Sequence, residues 1–135
     1  MTRAHTHAVQ AALETDPGLV VFVGIAPDKQ PYPYVILRPG LATDRAERLT
    51  GAESTFTPSY TVLACGEDPE QAEWVTEHVD AALRPRGRGI TPTVAGRSTG
   101  HIRRDTLQPL LPDDDSQPPG WYRVAEYSFR SAPKS

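Results

Sequence analysis

Fourteen prolines and ten glycines punctuate this 135-residue chain, and most of them fall in three stretches, 16–40, 85–100 and 109–120. Proline inside a helix or a central strand removes a backbone donor and clashes with the preceding turn, so these stretches cannot hold long regular elements. Helices and strands are left to the short apolar segments between them. Leu, Ile, Val and Phe number 10, 4, 10 and 3, a total of 27 or 20% of the chain. That lies at the line of roughly 20% below which disorder becomes the rule when net charge is also high. The net charge is only −3, so one small, loop-rich globular domain over 1–135 is expected. A domain this short of large aliphatics gains when subunit contacts bury more of it.

Thr2 can cap a first helix running to about Glu14, with Val9, Ala12 and Leu13 as a narrow apolar stripe. Asp16-Pro17-Gly18 ends it. Leu19 to Val23 has the composition of a buried strand, and Tyr34 to Leu37 reads as a second strand stopped by Pro39-Gly40. The polar stretch from Leu41 to Ser54, with Asp44, Arg45, Glu47 and Arg48, is expected to be a long, mobile hairpin loop. Phe56 to Cys65 alternates, placing Phe56, Tyr60, Val62 and Ala64 on one face. Asp68-Pro69-Glu70-Gln71 then starts a helix to about Arg84, whose apolar face is Ala72, Val75, Val79, Ala82 and Leu83. Two short extended pieces, 90–94 and 97–103, turn at Ala95-Gly96. The stretch from about 105 to 120 reads as an irregular solvated loop, and Trp121 to Arg130 as the final strand. This order predicts an α+β fold, a mainly antiparallel sheet with two helices packed on one face.

Charge is segregated along the chain. Between Glu67 and Asp80 stand six acids and no Lys or Arg, and between Arg84 and Arg104 six arginines and no acid. Glu70, Glu73 and Glu77 share one surface of the second helix. The plain interpretation is two solvated, partly neutralising faces, because surface ion pairs are worth only about 0–1 kcal/mol each. The sharper one is a head-to-tail subunit junction, with Glu70, Glu73 and Glu77 of one copy meeting Arg84, Arg86, Arg88 and Arg97 of the next. Nucleic-acid binding by the arginines is the weaker alternative, since no aromatic interleaves them to stack on a base.

Signals for chemistry are sparse. His5 and His7, two apart, point about 200° apart on a helix and cannot share a metal. Asp113-Asp114-Asp115 lacks the alternating ligands and closing Glu of a calcium loop. Trp74 and His78 are expected to pack on the helix flank. The single cysteine, Cys65, excludes an internal disulfide and ends a strand, where a thiol behaves as a small hydrophobe. Phosphate loops, dinucleotide fingerprints, nucleophile elbows and paired-His zinc motifs are missing from the sequence, so neither an enzyme nor a cofactor is expected. No stretch reaches the length of a membrane span and the N-terminus lacks a hydrophobic signal region, so a soluble, unexported chain is expected.

The order of segments resembles the tail terminator, or tail completion, proteins of long-tailed bacteriophages, particularly those infecting actinobacteria. The likeness is carried by Asp16-Pro17-Gly18-Leu19, by Gly24-Ile25-Ala26-Pro27 leading to Tyr32-Pro33-Tyr34-Val35-Ile36, and by Tyr60 to Gly66 running into Glu70-Gln71-Ala72-Glu73-Trp74. It continues through Ala81-Ala82-Leu83, Gly96 to Gly100, Asp113-Asp114-Asp115 and Trp121 to Tyr127, so that it covers most of Ala4 to Arg130. The resemblance implies a non-enzymatic virion protein, assembled in the host cytoplasm. Such a protein forms a homohexameric ring at the head-proximal end of the tail. It would stop polymerisation of the major tail tube protein, join the head-tail connector or stopper protein, and let DNA pass without binding it specifically. On this reading Asp44, Arg45, Glu47 and Arg48 would reach toward the tube or the next ring. A head-side neck or stopper protein is the alternative within the same class.

Overall fold

A computed structural model describes residues 2–40, 55–115 and 119–134. The expected loop at 41–54, with Asp44, Arg45, Glu47 and Arg48, lies outside the described residues. Helix α1 spans Thr2–Glu14 and α2 spans Pro69–Leu83. The strands are β1 (Val21–Val23), β2 (Tyr34–Pro39), β3 (Ser59–Gly66), β4 (Arg97–Thr99), β5 (Arg103–Leu107), β6 (Leu111–Asp113), β7 (Gly120–Ser128) and β8 (Ser131–Pro133). Six of them form one sheet in the order β1-β2-β3-β7-β5, with β6 also paired to β7, and β4 pairs with β8 in a small second sheet. Only β1 and β2 run parallel; the other pairings are antiparallel. The fold is α+β with a mainly antiparallel sheet.

Both helices cover the same face. Val9 and Leu13 of α1 and Val75, Val79 and Leu83 of α2 form one core with Val35 and Leu37 of β2, Tyr60, Val62 and Ala64 of β3, and Ala125 and Tyr127 of β7. The period of two along the strands and of three to four along the helices brings these residues together. The second helix starts where expected: the Asp68 carboxylate accepts from Gln71 N at 2.8 Å, and Pro69 occupies the first turn, where no donor is missed. Gln71 reaches back to accept from Glu67 N at 2.7 Å.

Several boundaries differ from the sequence expectation. Leu19–Val23 is not a buried strand. The strand is Val21–Val23 at the sheet edge, and Val20 and Val23 stay 45% and 43% exposed because only β2 flanks it. The expected irregular loop contains β6, since Leu111 to Asp113 pair with Tyr122 to Gly120. The extended piece at 97–103 divides between two sheets, as β4 and the start of β5. The extended piece at 90–94 joins no sheet; Ile90 bonds Leu83 and Ile102 through its backbone. The final strand ends at Ser128, where the chain turns to place β8 against β4. Phe56 stands before β3 as a single bridge to Ser131, separated from it by Pro58.

Candidate functional site

Among the described residues, polar or reactive side chains gather at several places. The first is the surface where α2 meets β5 and β7, which holds most of the segregated charge. Glu73, Glu77 and Asp80 share a cleft of about 440 Å³ with Arg84, Arg86, Arg104 and Arg123. Arg84 Nε donates to Asp80 Oδ1 at 2.9 Å and Arg104 approaches the same carboxylate at 3.7 Å, while the Tyr127 hydroxyl donates to it at 3.0 Å. The Asp80 hydrogen bond raises the Arg84 pKa above its already high value. The two charge blocks therefore lie side by side within one copy. Glu70 sits further along α2, in a separate shallow pocket with Pro33 and Trp74. Arg86 and Arg88 are exposed on and after the short 3-10 turn Pro85–Gly87. Arg86 adopts a left-handed φ of 58° there.

Arg97 does not belong to that surface. It is 5% exposed, and it donates from Nε to Ser131 Oγ at 2.9 Å and from Nη2 to the Ser131 carbonyl at 3.0 Å. Its guanidinium stands 5.0 Å over the Phe56 ring. The same Ser131 hydroxyl lies 2.8 Å from Nε2 of His5, which is fully buried between Phe56 and Phe129. Burial lowers the Arg97 pKa by penalising its charge, but an arginine stays protonated in any such setting. This cluster joins α1, the small sheet and the bridge at Phe56. It corrects the placement of Arg97 in a surface junction: a buried, multiply bonded guanidinium cannot meet a neighbouring subunit's carboxylates. The sequence did hold a signal for His5, which precedes Val9 and Leu13 by four and eight residues on the buried stripe of α1.

The third place is the face of the main sheet opposite the described helices α1 and α2. Tyr34, Ile36, Leu63, Cys65, Tyr122 and Val124 line a cleft of about 750 Å³ there, overhung by the connection 25–30. Tyr34, Cys65 and Tyr122 are direct cross-strand neighbours in β2, β3 and β7. Tyr32 stacks on Tyr34 with ring centroids 5.3 Å apart and packs against Gly120, where a side chain would collide with its ring. Burial pushes the Cys65 thiol up to about 11, and burial likewise raises the Tyr34 hydroxyl. A thiol protonated to that degree is a poor nucleophile at neutral pH. Among the described residues no group of three or more His, Cys, Asp or Glu is placed to hold a metal ion. Alternation along β3 and β7 had already put Leu63, Tyr122 and Val124 opposite the core face. That Tyr32 and Tyr34 join them needed the register of β2.

On α2, His78 Nδ1 donates to Asp16 Oδ2 at 2.6 Å and its ring lies 3.9 Å from that of Trp74. The expected flank packing is present, and the histidine also anchors the turn after α1. No protein-family model matches the chain, and no curated protein matches it significantly.

Proposed function

We propose that the chain is a structural subunit of tail-terminator type, which forms a ring on the head-proximal end of a phage tail tube, stops its growth and joins it to the head connector. The observation that supports this most directly is a set of exposed apolar side chains at the margins of the main sheet. They are Val20, Val23, Ile25 and Leu111, 42–78% exposed. Exposed apolar residues at several sites around one small domain suit a subunit completed by its neighbours. The net charge of −3 suits a ring through which DNA slides without being held.

The test is assembly. Native mass spectrometry and electron microscopy of the purified chain, alone and with the major tail tube protein, are expected to show a closed ring that binds tube ends. Monomers under both conditions would overturn the proposal. Duplex DNA binding that weakens steeply with salt, without any ring, would point instead to a nucleic-acid-binding module.

A further inference from the structure

The two outer margins of the main sheet differ in what their backbones offer. At the β1 margin, Val35 N donates to Val20 O and Gly24 N donates to Leu37 O. This parity turns Phe22 toward β2 and leaves the N–H and C=O of Val21 and Val23 facing outward. Neither residue is proline or charged and the strand carries no bulge, so shortness is the one protection of this three-residue edge that its own residues supply. Alongside runs a groove of about 560 Å³ between β1 and α1, lined by Val21, Val23, Pro39, Arg3, His7 and Gln10 among others. No carboxylate lines it among the described residues.

The opposite margin is guarded. β5 carries Arg103, Arg104 and Asp105 with a bulge between Arg104 and Thr106. Next to it along β7 lies β6; just before β6 the Gln108 N–H donates to Val124 O of β7, which fixes which residues of β7 face that side. Leu111 and Asp113 then pair inward with Tyr122 and Gly120, and Pro112 turns outward. Its carbonyl is an available acceptor, but it has no N–H to give. This blocks pairing between two β6 strands while leaving an acceptor for a strand that offers donors. Leu111 is 42% exposed, and the exposed Asp114 and Asp115 follow β6 directly.

We infer that these margins are the two halves of one head-to-tail junction: the 111–115 segment of one copy lies along β1 of the next. The outward N–H of Val23 meets the Pro112 carbonyl, and Asp114 and Asp115 meet Arg3 and His7. A contact between unlike patches at opposite margins of one sheet is heterologous, and repetition closes a ring when the rotation per copy divides the circle. The inference rests on the ring reading and specifies its junction. It also moves that junction away from the α2 surface, where the acids and arginines already face one another within a single copy.

The test uses the full chain and native mass spectrometry, with thermal melts as the check on folding. Val23→Pro removes an outward donor that makes no bond to β2, so it is expected to leave the melt close to wild type and abolish assembly. Arg3→Glu, and separately Asp114→Arg with Asp115→Arg, are each expected to weaken assembly about tenfold or more. Combining them is expected to restore most of the loss, because the charges have exchanged places. Wild-type rings that all these variants leave intact would overturn the junction and spare the ring proposal. Dimers sensitive to Val23→Pro but not to the aspartate reversals would mean that two β1 edges pair with each other, and would overturn it too. A wild-type chain that stays monomeric with and without tube protein would overturn both.

Discussion

His5 and His78 sit one on each helix, and each bonds a residue far along the chain, Ser131 at 126 positions away and Asp16 at 62. One is fully buried; the other's side chain keeps 37% of its exposure. His5 shares its hydroxyl partner with a buried guanidinium and is walled by two phenylalanines, so the Ser131 hydroxyl ties the two buried polar groups together. His78 fastens a turn that water can also solvate. The difference teaches where polar contacts are structurally decisive in this protein: a buried donor that loses its partner pays the full cost of desolvation, while an exposed one re-bonds to water.

Substitutions ranked by this difference can break the comparison. Arg97→Ala is expected to be the most damaging, on the order of 3 kcal/mol, because it empties a buried site over the Phe56 ring and removes both guanidinium bonds to Ser131, whose carbonyl keeps its bond from Phe56 N. Urea unfolding would measure it, and a loss equal to that of an exposed arginine such as Arg88 would refute the ranking. Ser131→Ala comes next, at about 1–3 kcal/mol, since it deprives both His5 Nε2 and Arg97 Nε of their shared oxygen.

At the exposed pair the effect shrinks and acquires a pH signature. The hydrogen bond from His78, aided by Gly18 N, holds the Asp16 carboxyl below its ordinary 3.8. A depressed acid contributes stability above its unfolded pKa and loses it as pH falls through the folded value. His78→Ala is therefore expected to cost about 1 kcal/mol or less at neutral pH. It should also flatten the decline in stability below about pH 4, where the unfolded carboxyl begins to bind protons. Equal acid slopes in variant and wild type would show that the bond contributes nothing. Smallest of all is Gly18→Ala. Its new methyl would meet Trp74 at 3.1 Å, a crowding of a few tenths of an ångström, against a gain of about 0.4–1 kcal/mol from a stiffer unfolded chain. A shift within about 0.5 kcal/mol either way is expected by thermal melt.

The same contrast explains what could be read before folding. Both helices, the Asp68 cap, the core alternation of β3 and the stop at Pro39-Gly40 were legible because each is a local pattern of polarity, capping or ring geometry. The division of 97–103 between two sheets was not, because pairing partners are chosen by distant backbone and leave no mark on three-residue strands. β6 was hidden for a related reason: Leu111-Pro112-Asp113 has poor strand propensity, and its ladder with β7 supplies what the residues lack. Arg97 looked like its neighbours in a basic run. Only the arrival of Ser131 and Phe56 from elsewhere in the chain gave its charge a buried home.

Residue type and spacing alone specify an α+β fold, the helices Thr2–Glu14 and Pro69–Leu83, a sparse core and segregated charge. Which margin of the sheet is guarded, that Glu73, Glu77 and Asp80 lie beside Arg84, Arg86 and Arg104, and that Arg97 is buried apart from them came only with the folded chain. Those outcomes depend on strand order and register, which are set by the summed burial and hydrogen bonding of the whole chain.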